Sequence, residues 1–478
     1  MVFSKKMKVI TSLISAVLLI LVAVSGHRVY LVMIQKKPLK NQTKIIEANS
    51  FQFDTKYFGV APRNERLISA TKKLSKDKTI IFTSNRESAF LNQFIYQTNL
   101  SGSESVLKLS KNLSIETLAP IEKKYTNNYF IFDLLVDGDN LLISLVTIPN
   151  VRNECNIFQI IKIPIDNGNL IPSNALEIWK PKVCIYTYPN NPGWGDFHGR
   201  LAVSKNDIYL STGLLIASTY LGFYPNPNIR GLDPDLAIQL KNDQLFGGVI
   251  KINKVTGYSS RVAQGFRGPS GIAIRSTPLG EQIWLGDHGP RGGDELNLVI
   301  EGKNYGWPWV SYGRKYFVPT KGQKGIINTK FGVHEGYEKP VYYWAPSIAP
   351  SQLIALSETL DSDNSWSAGD LVISSLKAKS IFRLKLNQNS MIQSIEQVDI
   401  GVRIRDISVE NKTLFISTDD GQIVVIKESD ISTSLGAFPA VFPIENPFYF
   451  VVPGLKQFSN FIDSLRGGIS KLDWLNLL

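Results

Sequence analysis

Leu201-Ala-Val-Ser-Lys-Asn-Asp-Ile-Tyr-Leu-Ser reads as two short apolar runs separated by a polar turn, the second ending on a small polar residue. Runs of this length bounded by Ser, Asn and Asp signal paired strands; a helix would need apolar residues returning every three or four positions over a longer stretch. The pattern recurs. Upstream it appears as Leu67-Ile-Ser-Ala with Thr79-Ile-Ile-Phe-Thr, and as Leu134-Leu-Val-Asp-Gly-Asp-Asn-Leu-Leu-Ile-Ser. Downstream it appears as Ile272-Ala-Ile with Ile283-Trp-Leu-Gly, Leu353-Ile-Ala-Leu with Leu371-Val-Ile-Ser, and Ile407-Ser-Val-Glu-Asn-Lys-Thr-Leu-Phe-Ile-Ser. The units begin at residues 67, 134, 201, 272, 353 and 407, about 68 residues apart on average. Further alternating strands follow, such as Phe158-Gln-Ile-Ile-Lys-Ile, Gly248-Val-Ile-Lys-Ile-Asn, Ile381-Phe-Arg-Leu-Lys-Leu and Gln422-Ile-Val-Val-Ile-Lys. Long amphipathic helical periods are absent between them, which argues against helices alternating with a parallel sheet. Six units of three or four strands, each too small to hold a core alone, predict an all-β, six-bladed β-propeller whose sheets pack face to face. A pair of β-sandwiches is the competing arrangement. The stretch from Lys303 to Ser351, rich in Gly, Pro and Tyr, is expected to be an inter-blade loop on one face, where function collects.

The propeller is expected to occupy residues 41–430. Before it, Lys5, Lys6 and Lys8 precede an uncharged run of 18 residues from Val9 to Gly26, which at about 1.5 Å per residue just reaches across a hydrocarbon core. Ala23-Val-Ser also suits signal-peptide cleavage, so residues 1–40 read either as a membrane anchor or as a cleaved signal with a linker. Both options imply export to the periplasm or beyond, with residues 9–26 contacting the membrane unless removed. Residues 431–478 form a Phe- and Pro-rich extension in which Leu455, Phe458, Phe461, Ile462 and Leu465 share one side of a short helix. The two cysteines, Cys155 and Cys184, are a candidate disulfide in an exported chain or a pair of buried thiols. With no CxxC and four scattered histidines, a zinc site is not expected. The net charge of +11 is carried by dispersed lysines without an aromatic-basic motif, which argues against nucleic acid as a partner.

Several segments carry more than a fold. Gly265-Phe-Arg-Gly-Pro-Ser-Gly, Asp287-His-Gly-Pro-Arg-Gly-Gly-Asp-Glu-Leu-Asn, Asn304-Tyr-Gly-Trp-Pro, Tyr342-Tyr-Trp-Ala-Pro-Ser-Ile-Ala-Pro-Ser and Arg403-Ile-Arg-Asp occur in that order. Over roughly residues 80 to 428 the chain resembles the soluble aldose, or glucose/sorbosone, dehydrogenase family. The resemblance implies a six-bladed propeller, a pyrroloquinoline quinone (PQQ) cofactor on its central axis, and calcium. PQQ carries three carboxylates and an ortho-quinone, so its site needs fixed cations at the rim and an electrophilic centre at the quinone oxygens. By resemblance Lys377, Arg403 and Arg405 would hold the carboxylates. Arg403 and Arg405, two apart in an extended segment, should point to the same side. Arg267 would stand beside the reactive carbonyl, and Tyr316 and Asn128 would make further cofactor contacts. The carbonyls of Gly289 and Pro290 would ligate a calcium that polarises the quinone, and Glu295 and Tyr305 a structural one. His288 and Asp287 are expected to orient their loop by hydrogen bonds, and Trp307, Trp309 and Trp344 to pack between blades.

The chain departs from the family where the chemistry is hardest. The family writes its general base into His-x-x-Gly-Arg-Leu; here the segment is Asp196-Phe-His-Gly-Arg-Leu, so Asp196 stands at the base position and His198 two residues later. Removing the proton of an anomeric hydroxyl as hydride leaves needs a base with a pKa near the working pH, which an exposed aspartate lacks. In an extended segment Asp196 and His198 would face one way and could share the work. The family's Arg-Asn pair is Arg267-Gly268, and its glutamine is Asn128. Two functions follow as expectations: a PQQ- and calcium-dependent oxidoreductase acting on an aldose or related sugar and passing electrons to a soluble or membrane acceptor, or a catalytically altered propeller that binds carbohydrate or protein in the cell envelope.

Overall fold

Short polar turns reverse the chain at regular intervals, and their chemistry is visible locally. The Asp137–Asn140 turn uses Gly138 at φ +56°, and Asn253 closes the Val255–Gly257 turn by accepting from the backbone N–H groups of Val255 and Thr256. In the computed structural model, residues 42–47, 52–59, 67–75, 78–85, 94–101, 108–114, 129–147, 157–181, 198–213, 246–314, 330–360, 366–410 and 412–428 are described.

These residues form six antiparallel sheets of four or five strands and one two-stranded parallel ribbon. Sheet I comprises Leu67–Ser75, Lys78–Asn85, Phe94–Ser101 and Lys108–Ser114. Sheet II comprises Tyr129–Asp137, Asn140–Thr147 and Ile157–Asp166, the last pairing with both Asn169–Leu170 and Leu176–Trp179. Sheet III comprises Arg200–Val203, Asp207–Thr212, Gly248–Asn253 and Ser259–Gln264, and sheet IV Pro269–Thr277, Gly280–Asp287, Asp294–Val299 and Tyr342–Trp344. Sheet V comprises Pro350–Ala355, Leu371–Ser375, Ser380–Leu386 and Ile392–Asp399. Sheet VI is built from both ends of this region: Ile404–Glu410, Thr413–Thr418 and Gln422–Glu428 are joined by Gln52–Gly59 and Gln42–Glu47.

The first strand of each sheet packs against the first strand of the next, from I through VI and back to I. Apolar cores fill the spaces between neighbours. Phe130, Phe132 and Phe158 of sheet II meet Leu201, Ile208 and Ile250 of sheet III, and Trp284 and Leu296 of sheet IV meet Leu353 and Ile373 of sheet V. Sheets VI and I are also stitched by polar contacts, Ser69 N–H to Asp406 at 3.1 Å and Ser417 Oγ to Ser69 Oγ at 2.6 Å. The result is an all-β, propeller-like arrangement.

Four inner strands share a defect at the same place. A register shift lies near the start of the inner strands of sheets II, IV, V and VI, leaving Phe132, Ser270, Ser351 and Arg405 outside the ladder. Such a bulge leaves one residue unpaired and frees its backbone groups for other partners.

The segment from Lys303 to Ser351 is not simply a connection between sheets. It holds the ribbon strands Val310–Ser311 and Lys330–Phe331 and the outer strand of sheet IV, Tyr342–Trp344, so it is an insertion before that sheet's last strand. Alternation was too short there to be read as a strand. The expected N-terminal apolar segment and the C-terminal helix lie outside the described residues, as do Cys155 and Cys184; among the described residues no helix is long and apolar enough to cross a membrane.

Candidate functional site at one end of the inner strands

Antiparallel pairing puts the beginning of each inner strand at the same end as the link between its sheet's second and third strands. Arg200 begins the inner strand of sheet III, Arg267 lies two residues before that of sheet IV, and Arg403 immediately precedes that of sheet VI. The 288–293 link of sheet IV, the 376–379 link of sheet V and the 419–421 link of sheet VI join them. The predicted residues that are described therefore gather at this end.

A continuous path of contacts connects them. Arg267 Nη1 donates to the carbonyls of His288 at 2.8 Å and Gly289 at 3.1 Å, and its guanidinium lies 5.6 Å from the Trp307 ring centroid. His288 Nδ1 is 3.0 Å from Asp294 Oδ1, and Asp294 Oδ2 accepts from Ala349 N–H at 2.8 Å. Leu376 N–H donates to Ala349 O, and Lys377 N–H to Ile348 O. Arg403 Nη1 reaches back to Leu376 O at 3.4 Å. Arg403 Nε and Arg405 Nε take the two oxygens of Asp419 at 2.9 and 2.8 Å. Arg405 O accepts from Arg200, and Arg200 follows His198 and Gly199 in the chain. The path closes because a β-carbon on Gly268 would stand 3.0 Å from His198 Nε2.

Arg403 and Arg405 do point to one side, but a carboxylate the sequence reading missed holds them there. Burial pushes the Asp419 carboxyl up, and Arg405 and then Arg403 outweigh it, leaving it below the usual carboxylate range. Lys377 and Arg403 are exposed and Arg405 is buried; the two arginines share Asp419, while Lys377 joins the path through its backbone N–H. Asp287 accepts from the backbone N–H groups of Arg267 and Gly268 at 3.0 and 2.7 Å; burial, and next the charge of Glu295, push it up to about 7. His288 and Asp287 thus orient their loops as expected. Trp307 and Trp344 are buried in separate apolar cores.

His198 is nine-tenths buried and adopts φ +63°, followed by Gly199 at φ +57°. Two consecutive left-handed residues turn the chain sharply into the inner strand of sheet III. Glycine is required at 199, since a β-carbon there would come within 2.7 Å of Phe132. Asp196, Asn128 and Tyr316 lie outside the described residues.

The expected metal residues meet at one place: Gly289, Pro290, Glu295 and Tyr305 line a single small cavity with Arg267 and His334. Gly289 O accepts one hydrogen bond from Arg267 and keeps a second lone pair. His334 Nε2 is 3.5 Å from the Glu295 carboxylate, and no lysine pairs with Glu295 among the described residues. Asn297 Oδ1 is buried nearby without a hydrogen-bond partner among the described residues, an oxygen donor left over beside a carboxylate. The Tyr305 hydroxyl is committed elsewhere, donating to Leu298 O and accepting from Ile300 N–H, and its backbone N–H donates to Gln264 O. Among the described residues no group of three His, Cys, Asp or Glu side chains forms a metal site.

Residues 250–427 match the family described as Glucose / Sorbosone dehydrogenase, a range that holds Arg267, Lys377, Arg403 and Arg405. Over these residues the chain is similar to that family. The chain is 35% identical over 167 residues to the aldose sugar dehydrogenase YliI of Escherichia coli (strain K12), covering 34% of this chain and 42% of that protein. It is 23% identical over 265 residues to quinoprotein glucose dehydrogenase B of Acinetobacter calcoaceticus, covering 45% of this chain and 52% of the relative. The matches thus span about half the length of these relatives or less. In fold, the soluble aldose sugar dehydrogenase of Escherichia coli in its apo-form aligns with a TM-score of 0.54 at 18% identity, over 82% of this chain and 99% of the other. The matched range comprises sheets IV and V, most of sheet VI and the outer part of sheet III, so the His198 segment precedes it.

Proposed function

We propose that the six sheets are the blades of a six-bladed propeller and that the rim described above binds PQQ, making the chain a quinoprotein that oxidises an aldose or related sugar. The carrying observation is the convergence of Arg267, Lys377, Arg403 and Arg405 on one end of the ring of inner strands through a closed path of contacts. The donor set suits the cofactor: Lys377, Arg403 and Arg405 against one carboxylate leave net positive charge for carboxylates, and guanidinium forks favour planar bidentate partners. PQQ, when bound, would accept the hydride from the sugar carbon. Arg267, fixed by two carbonyls and Trp307, would stabilise negative charge developing on the quinone oxygen. His198, against Gly268, the residue that follows Arg267 in the chain, would accept the proton of the anomeric hydroxyl, with Asp196 as its partner by sequence. Calcium, if used, would draw on the oxygen donors around this cavity: the carbonyls of Gly289 and Pro290, and the Glu295 carboxylate with the spare oxygen of Asn297.

The remaining expectations belong with this reading: export through residues 9–26, a periplasmic or extracellular site of action, and a soluble or membrane electron acceptor. The test is to add PQQ and calcium to the purified full chain and follow dye reduction with a panel of aldoses. Sugar-dependent reduction that is lost in His198→Ala or Asp196→Ala supports the reading. Failure to bind PQQ rejects it, and binding without turnover favours an altered propeller acting as a binding module.

A further inference from the structure

Arg200 is wholly buried and takes no part in the chemistry above, yet its guanidinium makes four hydrogen bonds and one further ion pair. Nε donates to Ser270 O at 3.0 Å, and Nη2 to Ser351 O at 2.7 Å and Arg405 O at 2.8 Å. Nη1 donates to Asp133 Oδ1 at 2.7 Å and lies 3.4 Å from Asp406 Oδ2. The three carbonyls belong to the three residues that the bulges of sheets IV, V and VI leave outside their ladders, which is why their oxygens are free to accept. Asp406 Oδ2 also accepts from Ser69 N–H in sheet I, and Asp133 Oδ2 from Leu201 N–H in sheet III. One guanidinium, carried by sheet III, thus contacts the inner strands of sheets II, IV, V and VI directly and reaches that of sheet I through Asp406.

The ties fall beside the residues that the proposed chemistry needs in fixed relation. Arg200 is two residues after His198; Ser270 is three residues after Arg267; Arg405 offers Arg200 its carbonyl and Asp419 its side chain. We propose that Arg200 is a positioning residue, a hub at the centre of the ring that sets His198, Arg267 and Arg405 relative to one another. Its effect on cofactor affinity rests on the quinoprotein reading, whereas its hold on His198 does not. A lysine cannot replace it, because three donors on one nitrogen cannot reach acceptors spread around a planar fork.

The experiment uses the full chain with Arg200→Lys and, as a control of comparable burial, Arg383→Lys. Arg383 is buried in sheet V, where it pairs with Asp370 and Glu396 away from the rim. Folding is checked by circular dichroism, PQQ affinity by tryptophan-fluorescence titration, and the histidine rings by NMR of 15N-histidine-labelled protein, with His198→Gln assigning its signal among four. In Arg200→Lys we expect the His198 resonances to move and PQQ affinity to fall at least tenfold; in Arg383→Lys, stability should drop while both stay. A folded Arg200→Lys protein with unchanged His198 resonances overturns the proposal, as does an equal change in Arg383→Lys. If the parent chain does not bind PQQ, the quinoprotein reading fails and the His198 signal still decides the positioning claim. Should Arg200→Lys fail to fold, Asp133→Asn, which keeps the side-chain shape, must move the His198 signal; no movement there rejects the idea.

Discussion

A β-carbon at Gly268 would stand 3.0 Å from His198 Nε2, so the absence of a side chain there is what lets the imidazole lie against the main chain next to Arg267. Gly268 does not have a positive φ, so alanine fits its backbone, and the crowding falls on a movable ring. Gly268→Ala should therefore leave stability within about 1 kcal/mol, read by urea unfolding, while displacing His198 and lowering sugar-dependent dye reduction at least tenfold. Full turnover in a folded Gly268→Ala protein would remove His198 from the chemistry. Asp133 makes a second residue-scale prediction. Burial pushes its carboxyl up to about 6; Arg200 opposes that shift and Asp406 adds to it. Between its ordinary value of 3.8 and about 6 the folded chain thus holds a proton that the unfolded chain has released. Its contribution to stability is full below about pH 4 and lost as pH rises through 6. Unfolding free energies at pH 4.5 and 7 should show this fall in the parent, and Asp133→Asn should flatten it; an equal slope in the variant would deny the shift.

At the scale of the element, the link after Thr413–Thr418 works through Asp419. It serves two arginines of unlike surroundings: Arg403 has a side chain 45% exposed, Arg405 one only 11% exposed. An exposed pair contributes about 1 kcal/mol or less, whereas removing one partner of a buried pair leaves a charge uncompensated and costs about 3–5 kcal/mol. Arg403→Ala should hence be nearly silent in urea unfolding, and Asp419→Asn should cost about 2–4 kcal/mol; equal effects would show that Arg405 is not the partner that matters. The pairing of Arg403 and Arg405 on one side was legible in the sequence from their spacing, but Asp419 was not. It stands in a polar turn, Thr418-Asp-Asp-Gly421, where carboxylates are ordinary. Asp133, Asp406 and Arg200 left a fainter mark: charges set within apolar strand runs, where a buried partner is required. Spacing finds side chains that share a strand face; it does not find partners brought together from different sheets.

For the whole molecule, the repeat spacing located every inner strand to within a few residues, because each unit must present the same apolar strand to its neighbours. What spacing could not show was the closure. Residues 42–59 lack the repeat pattern, yet they pair with the last strand of sheet VI in register from Phe53 opposite Glu428 to Gly59 opposite Gln422. A ring closed by joining both ends of the region in one sheet has its weakest point there, since those two N-terminal strands hold by backbone pairing to a single edge. Without them Gln422–Glu428, with Ile423, Val424, Val425 and Ile426 all buried, becomes an open apolar edge. Deleting residues 1–40 should leave this pairing intact, and deleting residues 1–59 should abolish it. The longer deletion is expected to lower the melting temperature by more than about 5 °C relative to the shorter one and to give oligomers in size-exclusion chromatography with light scattering. A synthetic peptide spanning residues 42–59 should restore the monomer by re-forming the edge pairs. Equal melting temperatures and monomeric behaviour for both deletions would mean that the ring holds shut without this strand exchange.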